Sequence, residues 1–150
     1  MKLLKIILLL LFLTTIINAQ DRNQKLMKLS KKIEQSEFKN VKRTIIAIAV
    51  LESAWFQSIR HREFKNYFSV KDWKHEKCSE KPIFCMKQFE SFDDNIDYMI
   101  QYFKKKGFPT EKEEYIAHLK KIGYAEDKQY ESKLRAVRES VKKKLDFLEK

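Results

Sequence analysis

"AIAVLESAWF", residues 47–56, is an apolar run with one carboxylate at its centre. Together with Ile45 and Ile46, the apolar residues Ile48, Ala49, Val50 and Leu51 cover nearly every side of a helix predicted over about 41–58. A helix that is apolar all round belongs in the core. Glu52 is the anomaly, because an ionised carboxylate without a partner is expensive to bury. Two readings stand. Either a Lys or Arg reaches Glu52 across the core, or the setting keeps the carboxyl protonated near neutral pH, because burial penalises the charged form.

Working outward, the rest of the chain also reads as mainly helical. Leu26, Leu29 and Ile33 recur at helical spacing and predict a helix over about 21–36. "SFDDNIDYMIQYFKKKG" places Ile96, Met99, Ile100 and Phe103 on one face, with Ser91 or Asp93 as its cap and Gly107 as its stop. "TEKEEYIAHLKKIG" opens with Thr110 and Glu113 at capping-box spacing and closes at Gly123. A last helix starts near Asp127 and carries Tyr130, Leu134, Val137, Val141, Leu145 and Leu148 in steps of three and four. Residues 66–90 break the helical pattern, and Pro82 interrupts them. They predict a small two-stranded or irregular lobe.

The first 19 residues read as a secretory signal peptide. Lys2 and Lys5 precede an unbroken apolar run from Ile6 to Leu13, which gives way to small and polar residues around Asn18-Ala19. The other reading is an uncleaved anchor, for which the run is short. Cleavage after Ala19 leaves residues 20–150 as one domain of an exported protein, periplasmic or secreted. It removes two of the 32 basic residues and none of the 21 acidic ones, so the net charge falls from +11 to +9. A basic exported protein, taken as a monomer, suits an anionic surface such as a bacterial envelope. Export counts against nucleic acid. Cys78 and Cys85 are expected to pair in an oxidising compartment, at a gain of roughly 2.5 kcal/mol from so short a loop. His75, Cys78 and Cys85 lack a fourth ligand and the usual zinc spacing, so neither metal nor cofactor is expected.

Residues 47–71, "AIAVLESAWFQSIRHREFKNYFSVK", resemble the glucosaminidase domain of bacterial cell-wall hydrolases, glycoside hydrolase family 73. That family carries a helix with a pattern like A-x-A-x-L-E-S-x-W, then an N-x-F-x-x-K element about ten residues on. Here these are Ala47, Ala49, Leu51, Glu52, Ser53 and Trp55, followed by Asn66, Phe68 and Lys71. "FESFDDNIDYMIQYF" is similar to the family's aromatic-then-acidic helix start. "GYAEDKQYESKL" resembles its G-Y-A-x-D-x-x-Y-x-x-K-L signature.

The resemblance implies a lysozyme-like α fold, a helical body and a small irregular or β lobe flanking a cleft. It implies an endo-β-N-acetylglucosaminidase that cuts β-1,4 bonds in the glycan strands of peptidoglycan. Glu52 matches the family's catalytic acid, which would protonate the glycosidic oxygen. Tyr124 and Tyr130 match tyrosines facing the cleft. Trp55, Asn66 and Phe68 are expected at the substrate, although aromatics at such spacing also serve as core and Asn66 can equally fix the turn into the lobe. Glu76 and Glu80 are the candidates for a second acid. Two departures stand out: the family commonly has glycine where this chain has Phe56 and Ser69. A lytic transglycosylase or muramidase on the same polymer, or a non-catalytic wall-binding module, are the alternatives.

Overall fold

The computed structural model describes residues 2–72, 85–122, 124 and 127–150. Its helices are α1 (Lys2–Glu34), α2 (Lys42–Glu52), α3 (Ile59–Glu63), α4 (Phe92–Lys105), α5 (Lys112–Lys121) and α6 (Tyr130–Leu148), with one 3₁₀ turn at Lys39–Val41. No strand occurs among the described residues, and one antiparallel bridge joins Lys71 to Met86. This is the mainly helical body expected. The β character of the small lobe comes down to that bridge, since residues 73–84, with Glu76, Cys78 and Glu80, lie outside the described residues. Cys85 is buried and holds no free thiol, but the expected pairing involves Cys78 and remains an expectation.

The apolar run of the quoted stretch dictates the centre. Thr44 to Val50 are all buried in α2, and α2 packs most extensively on α6, through the seam of Leu134, Val141 and Leu145. The other side of α2 meets α1, which contributes Leu26, Leu29 and Ile33. Beyond these, Phe38, Phe68, Phe108 and Tyr115 gather around Phe103 of α4, several of them edge-on. The first helix is longer than expected. Residues 2–34 contain no Gly or Pro, so nothing breaks the helix at Ala19 and α1 runs through. Among the described side chains of its first half, Ile6, Leu8, Leu11, Phe12, Ile16 and Ile17 are exposed.

Helix boundaries follow local chemistry, with three corrections. The side chain of Ser91 caps α4 by accepting from Asp94 N at 3.0 Å. Gly107 at φ +64° ends it, letting Phe108 N–H donate to Phe103 O at 3.0 Å. Thr110 does not cap α5; its N-cap is Glu111, without a side-chain bond. Gly123 lies outside the described residues. The last helix begins at Tyr130, because Asp127 forms a turn first, its Oδ1 accepting from Gln129 N at 2.8 Å. The third correction matters most. α2 does not continue to residue 58 but stops at Glu52, and Ala54, Trp55 and Phe56 follow at φ 50°, 58° and 63°.

Three consecutive non-glycine residues in the left-handed region are strained. Ser53 holds them. It is fully buried, its Oγ donates to Ala49 O at 2.5 Å, and the same oxygen accepts from Phe56 N at 3.0 Å. Trp55 N–H donates back to Val50 O at 2.8 Å. The Phe56 ring, 2% exposed, sits edge-on to Tyr67 and Phe92, so apolar burial offsets the backbone cost.

The lobe is fastened by Asn66, which has no exposed surface. Its Oδ1 accepts from Val70 N at 3.0 Å, while its Nδ2 donates to Val70 O at 2.9 Å and Lys87 O at 2.7 Å. Asp72 N–H to Cys85 O and Lys87 N–H to Val70 O complete the seam. Replacing Asn66 by Ala strands Val70 N–H and Lys87 O, while Val70 O keeps the Lys87 N–H, so Asn66→Ala should cost about 2–4 kcal/mol in urea unfolding. Asn66→Asp keeps the acceptor but not the two donors and should recover only part of that loss.

Candidate active site

Glu52 ends α2 just where the left-handed turn begins, so its carboxyl is carried at the C-terminal end of the most buried helix. Burial is the largest influence on it and raises its pKa above the ordinary 4.5. The negative end of the α2 dipole acts in the same direction. Three neighbours oppose the rise in part: a hydrogen bond from Ser69, the Tyr130 phenol, and the positive charge of Lys71. Among the described residues no Lys or Arg forms a salt bridge with Glu52 within 4.0 Å. Among the described residues the first of the two readings finds no ion pair, only the more distant charge of Lys71.

The last third of the chain delivers the tyrosines. Tyr124 follows α5, its N–H donating to Leu119 O at 3.0 Å. Tyr130 opens α6, and the two rings lie 5.9 Å apart at 48°. Burial pushes both phenols above their usual value, and the nearby Glu52 charge adds to the rise. The Tyr130 hydroxyl is buried and closes no hydrogen bond of good geometry, though it lies near enough to Glu52 to favour its charged form. Tyr130 also lines a cavity of about 220 Å³ between α5 and α6, with Ile116, Leu119 and Leu134. Glu52, Tyr124 and Tyr130 are thus brought together from positions up to 78 residues apart.

The other expected substrate contacts separate. Trp55 is half-buried within the left-handed turn and packs against the core. Phe68 is 2% exposed with its ring edge-on to Phe103 at 6.5 Å, so it is core. Asn66 is buried and spends its side chain on the lobe seam, which offers a sugar nothing to touch. Glu76 and Glu80 fall outside the described residues.

Two residues that carried no role in the sequence now sit beside the acid. His61, on α3, is buried and bonded through Nδ1 to Ser58 Oγ and through Nε2 to Ser69 Oγ, both at 2.8 Å. Burial, followed by the charges of Arg60 and Lys71, lowers its pKa and keeps the ring neutral. A neutral imidazole donates at one nitrogen and accepts at the other. When Ser69 O–H donates to Glu52, its oxygen accepts from His61 Nε2–H, and Nδ1 accepts from Ser58. Ser58 and His61 are three residues apart, on one face of a helical turn, which is the signal that could have paired them.

Ser69 also explains a departure. Its φ is +54°, as that of Phe56 is +63°, so both positions where the family commonly has glycine keep a glycine-type backbone here. At residue 69 the added side chain supplies the hydroxyl bonded to His61.

A model of the glucosaminidase family, described as mannosyl-glycoprotein endo-β-N-acetylglucosaminidase, matches residues 29–143. No curated protein and no solved structure matches the chain.

The Ser69 hydroxyl holds the Glu52 pKa down, so its removal lets the pKa rise. Ser69→Ala should move the alkaline limb of a lysis pH profile upward. A profile with an unmoved limb would disconnect Ser69 from the acid.

Proposed function

We propose, for a chain that belongs to the glucosaminidase family and is a glycoside hydrolase of the endo-β-N-acetylglucosaminidase type, that Glu52 is the general acid acting on peptidoglycan glycan strands. The observation that carries this reading is the desolvated Glu52 carboxyl, free of any salt bridge among the described residues and flanked by two phenols. A carboxyl with a raised pKa keeps its proton to higher pH than an ordinary glutamate does. It gives its proton to the glycosidic oxygen as the bond from that oxygen to the anomeric carbon breaks, and water adds at the carbon. The Tyr124 and Tyr130 hydroxyls lie where they can bond the N-acetyl group of the sugar or face the positive charge growing at the anomeric carbon. Ser69 and His61 position the acid without touching substrate.

Export completes the reading. Exposed apolar residues such as Ile6, Leu8, Leu11, Phe12 and Ile17, preceded by lysines and standing outside the core, support a leader that takes the chain across a membrane to the wall. The net charge, +9 once the leader is removed, favours approach to an anionic envelope.

Two measurements test this. Glu52→Gln should reduce lysis of purified sacculi by about 10²–10⁴-fold, the usual contribution of general acid catalysis. Lysis that survives at the wild-type rate would remove Glu52 from the role. Fragment masses with a water added at a reducing N-acetylglucosamine end are expected; 1,6-anhydro-muramyl ends would mark a transglycosylase instead. Stability should move the other way. A carboxyl whose folded pKa exceeds its unfolded value loses stability as pH rises from about 4.5 through the folded value. Glu52→Gln escapes that loss, so its urea midpoint should match wild type below pH 4 and exceed it at pH 7.

A further inference from the structure

Ser58 stands where a helix-capping serine belongs and does not cap. It is the N-cap residue of α3, with φ -56° and ψ 121°, and a serine there ordinarily accepts from a backbone N–H two or three residues on. Its side chain makes no such bond. The hydroxyl turns instead to His61 Nδ1 at 2.8 Å. Its backbone is committed as well: Ser58 N–H donates to Ser53 O, and Arg62 N–H donates to Ser58 O, both at 3.1 Å. The left-handed turn after Glu52 thus returns Ser58 to the residue next to the acid. A ring closes from Glu52 through Ser53, Ser58, His61 and Ser69 back to Glu52.

Two hydrogen-bond registers fit these distances, because each serine hydroxyl can donate or accept. In the first, Ser58 donates to Nδ1, Nε2–H donates to Ser69 Oγ, and Ser69 donates to a Glu52 oxygen. Each of the three hydrogens then has an acceptor. In the second, Nδ1–H donates to Ser58 and Ser69 donates to Nε2, which leaves the Ser58 hydrogen without an acceptor among the described residues. Ser69 is then only an acceptor toward Glu52, so the protonated acid spends its hydrogen on Ser69. Burial, with the charges of Arg60 and Lys71, keeps the ring neutral, and Tyr124 and Tyr130 face Glu52 from the other side.

We propose that Ser58 is a positioning residue for the acid: its hydroxyl holds His61 in the Nε2–H tautomer, so Ser69 gives its hydrogen to one Glu52 oxygen and the proton on the other oxygen is kept for the glycosidic bond. The inference rests on Glu52 as general acid and adds what aims its proton. It also gives the departure at residue 69 a use, since glycine there would take the middle hydroxyl out of the chain. The diverted cap is the sign of that use: α3 forgoes the bond a serine usually gives it, and the hydroxyl serves His61 instead.

Side-chain nitrogen NMR of the full chain, with His61 assigned through bonds from its backbone, should show a protonated Nε2 and a bare Nδ1 at pH 7. Carbon NMR of the Glu52 carboxyl reads the other end of the chain. Ser58→Ala should raise the Glu52 pKa, as Ser69→Ala does, and the double variant should shift it no further than Ser69→Ala alone. In lysis of sacculi Ser58→Ala should lower kcat several-fold at unchanged KM, and Ser58→Thr, which keeps the hydroxyl, should restore it. No cap bond is lost, so Ser58→Ala should melt close to wild type. A hydrogen on Nδ1 in the wild type, an unmoved Glu52 titration in Ser58→Ala, or shifts that add in the double variant would overturn the proposal. The NMR measurements do not depend on glycan cleavage, so they separate a failure of the tautomer from a failure of Glu52 as the acid.

Discussion

Desolvation of one carboxyl organises this molecule. Glu52 ends the most buried helix, so every residue that makes α2 a good core element also withdraws water from the acid. Among the described residues no lysine or arginine forms a salt bridge that relieves that cost. Weaker neighbours surround the group: a serine hydroxyl, a phenol and the charge of Lys71. Those neighbours oppose the rise in pKa only in part, so the carboxyl keeps its proton to higher pH than an ordinary glutamate does. A proton donor for a sugar oxygen needs that balance.

The left-handed turn after Glu52 is what makes the acid available. Had α2 run on to residue 58, Glu52 would lie in mid-helix among apolar neighbours on every side. Instead the helix stops, and residues 53–57 fold back on Ser53. The conformation suits glycine, and this chain keeps it with Ala54, Trp55 and Phe56. Buried ring packing at Phe56 does what glycine's freedom would otherwise do. At Ser69 the same exchange adds a function, because a hydroxyl there links His61 to the acid. Loss of glycine at both positions therefore left the backbone path intact and altered only what lines it.

α2 also separates two kinds of electrostatics. Its C-terminal end meets the desolvated carboxyl, whose charge the helix dipole disfavours, and its N-terminal end carries Lys42 and Arg43, ion-paired with Glu34, Glu149 and Asp146. The contact of α2 with α6 serves both ends, since α6 carries Tyr130 toward one and Arg138 toward the other.

By itself the sequence determined the helical class, the identity of the core helix and the anomaly of Glu52. All three depend on local spacing and on the cost of burying charge, which can be read along the chain. The stop at Gly107 was legible for the same reason. Only tertiary structure decided that α2 ends at Glu52, since no Gly or Pro marks residues 53–57 and the turn is held by the Ser53 hydroxyl together with rings from elsewhere in the chain. It also decided that Asn66 and Phe68 are framework, and that Ser69 and His61 belong with the acid. Polar side chains near an acid acquire their roles from distance and direction in space, which spacing along the chain does not encode.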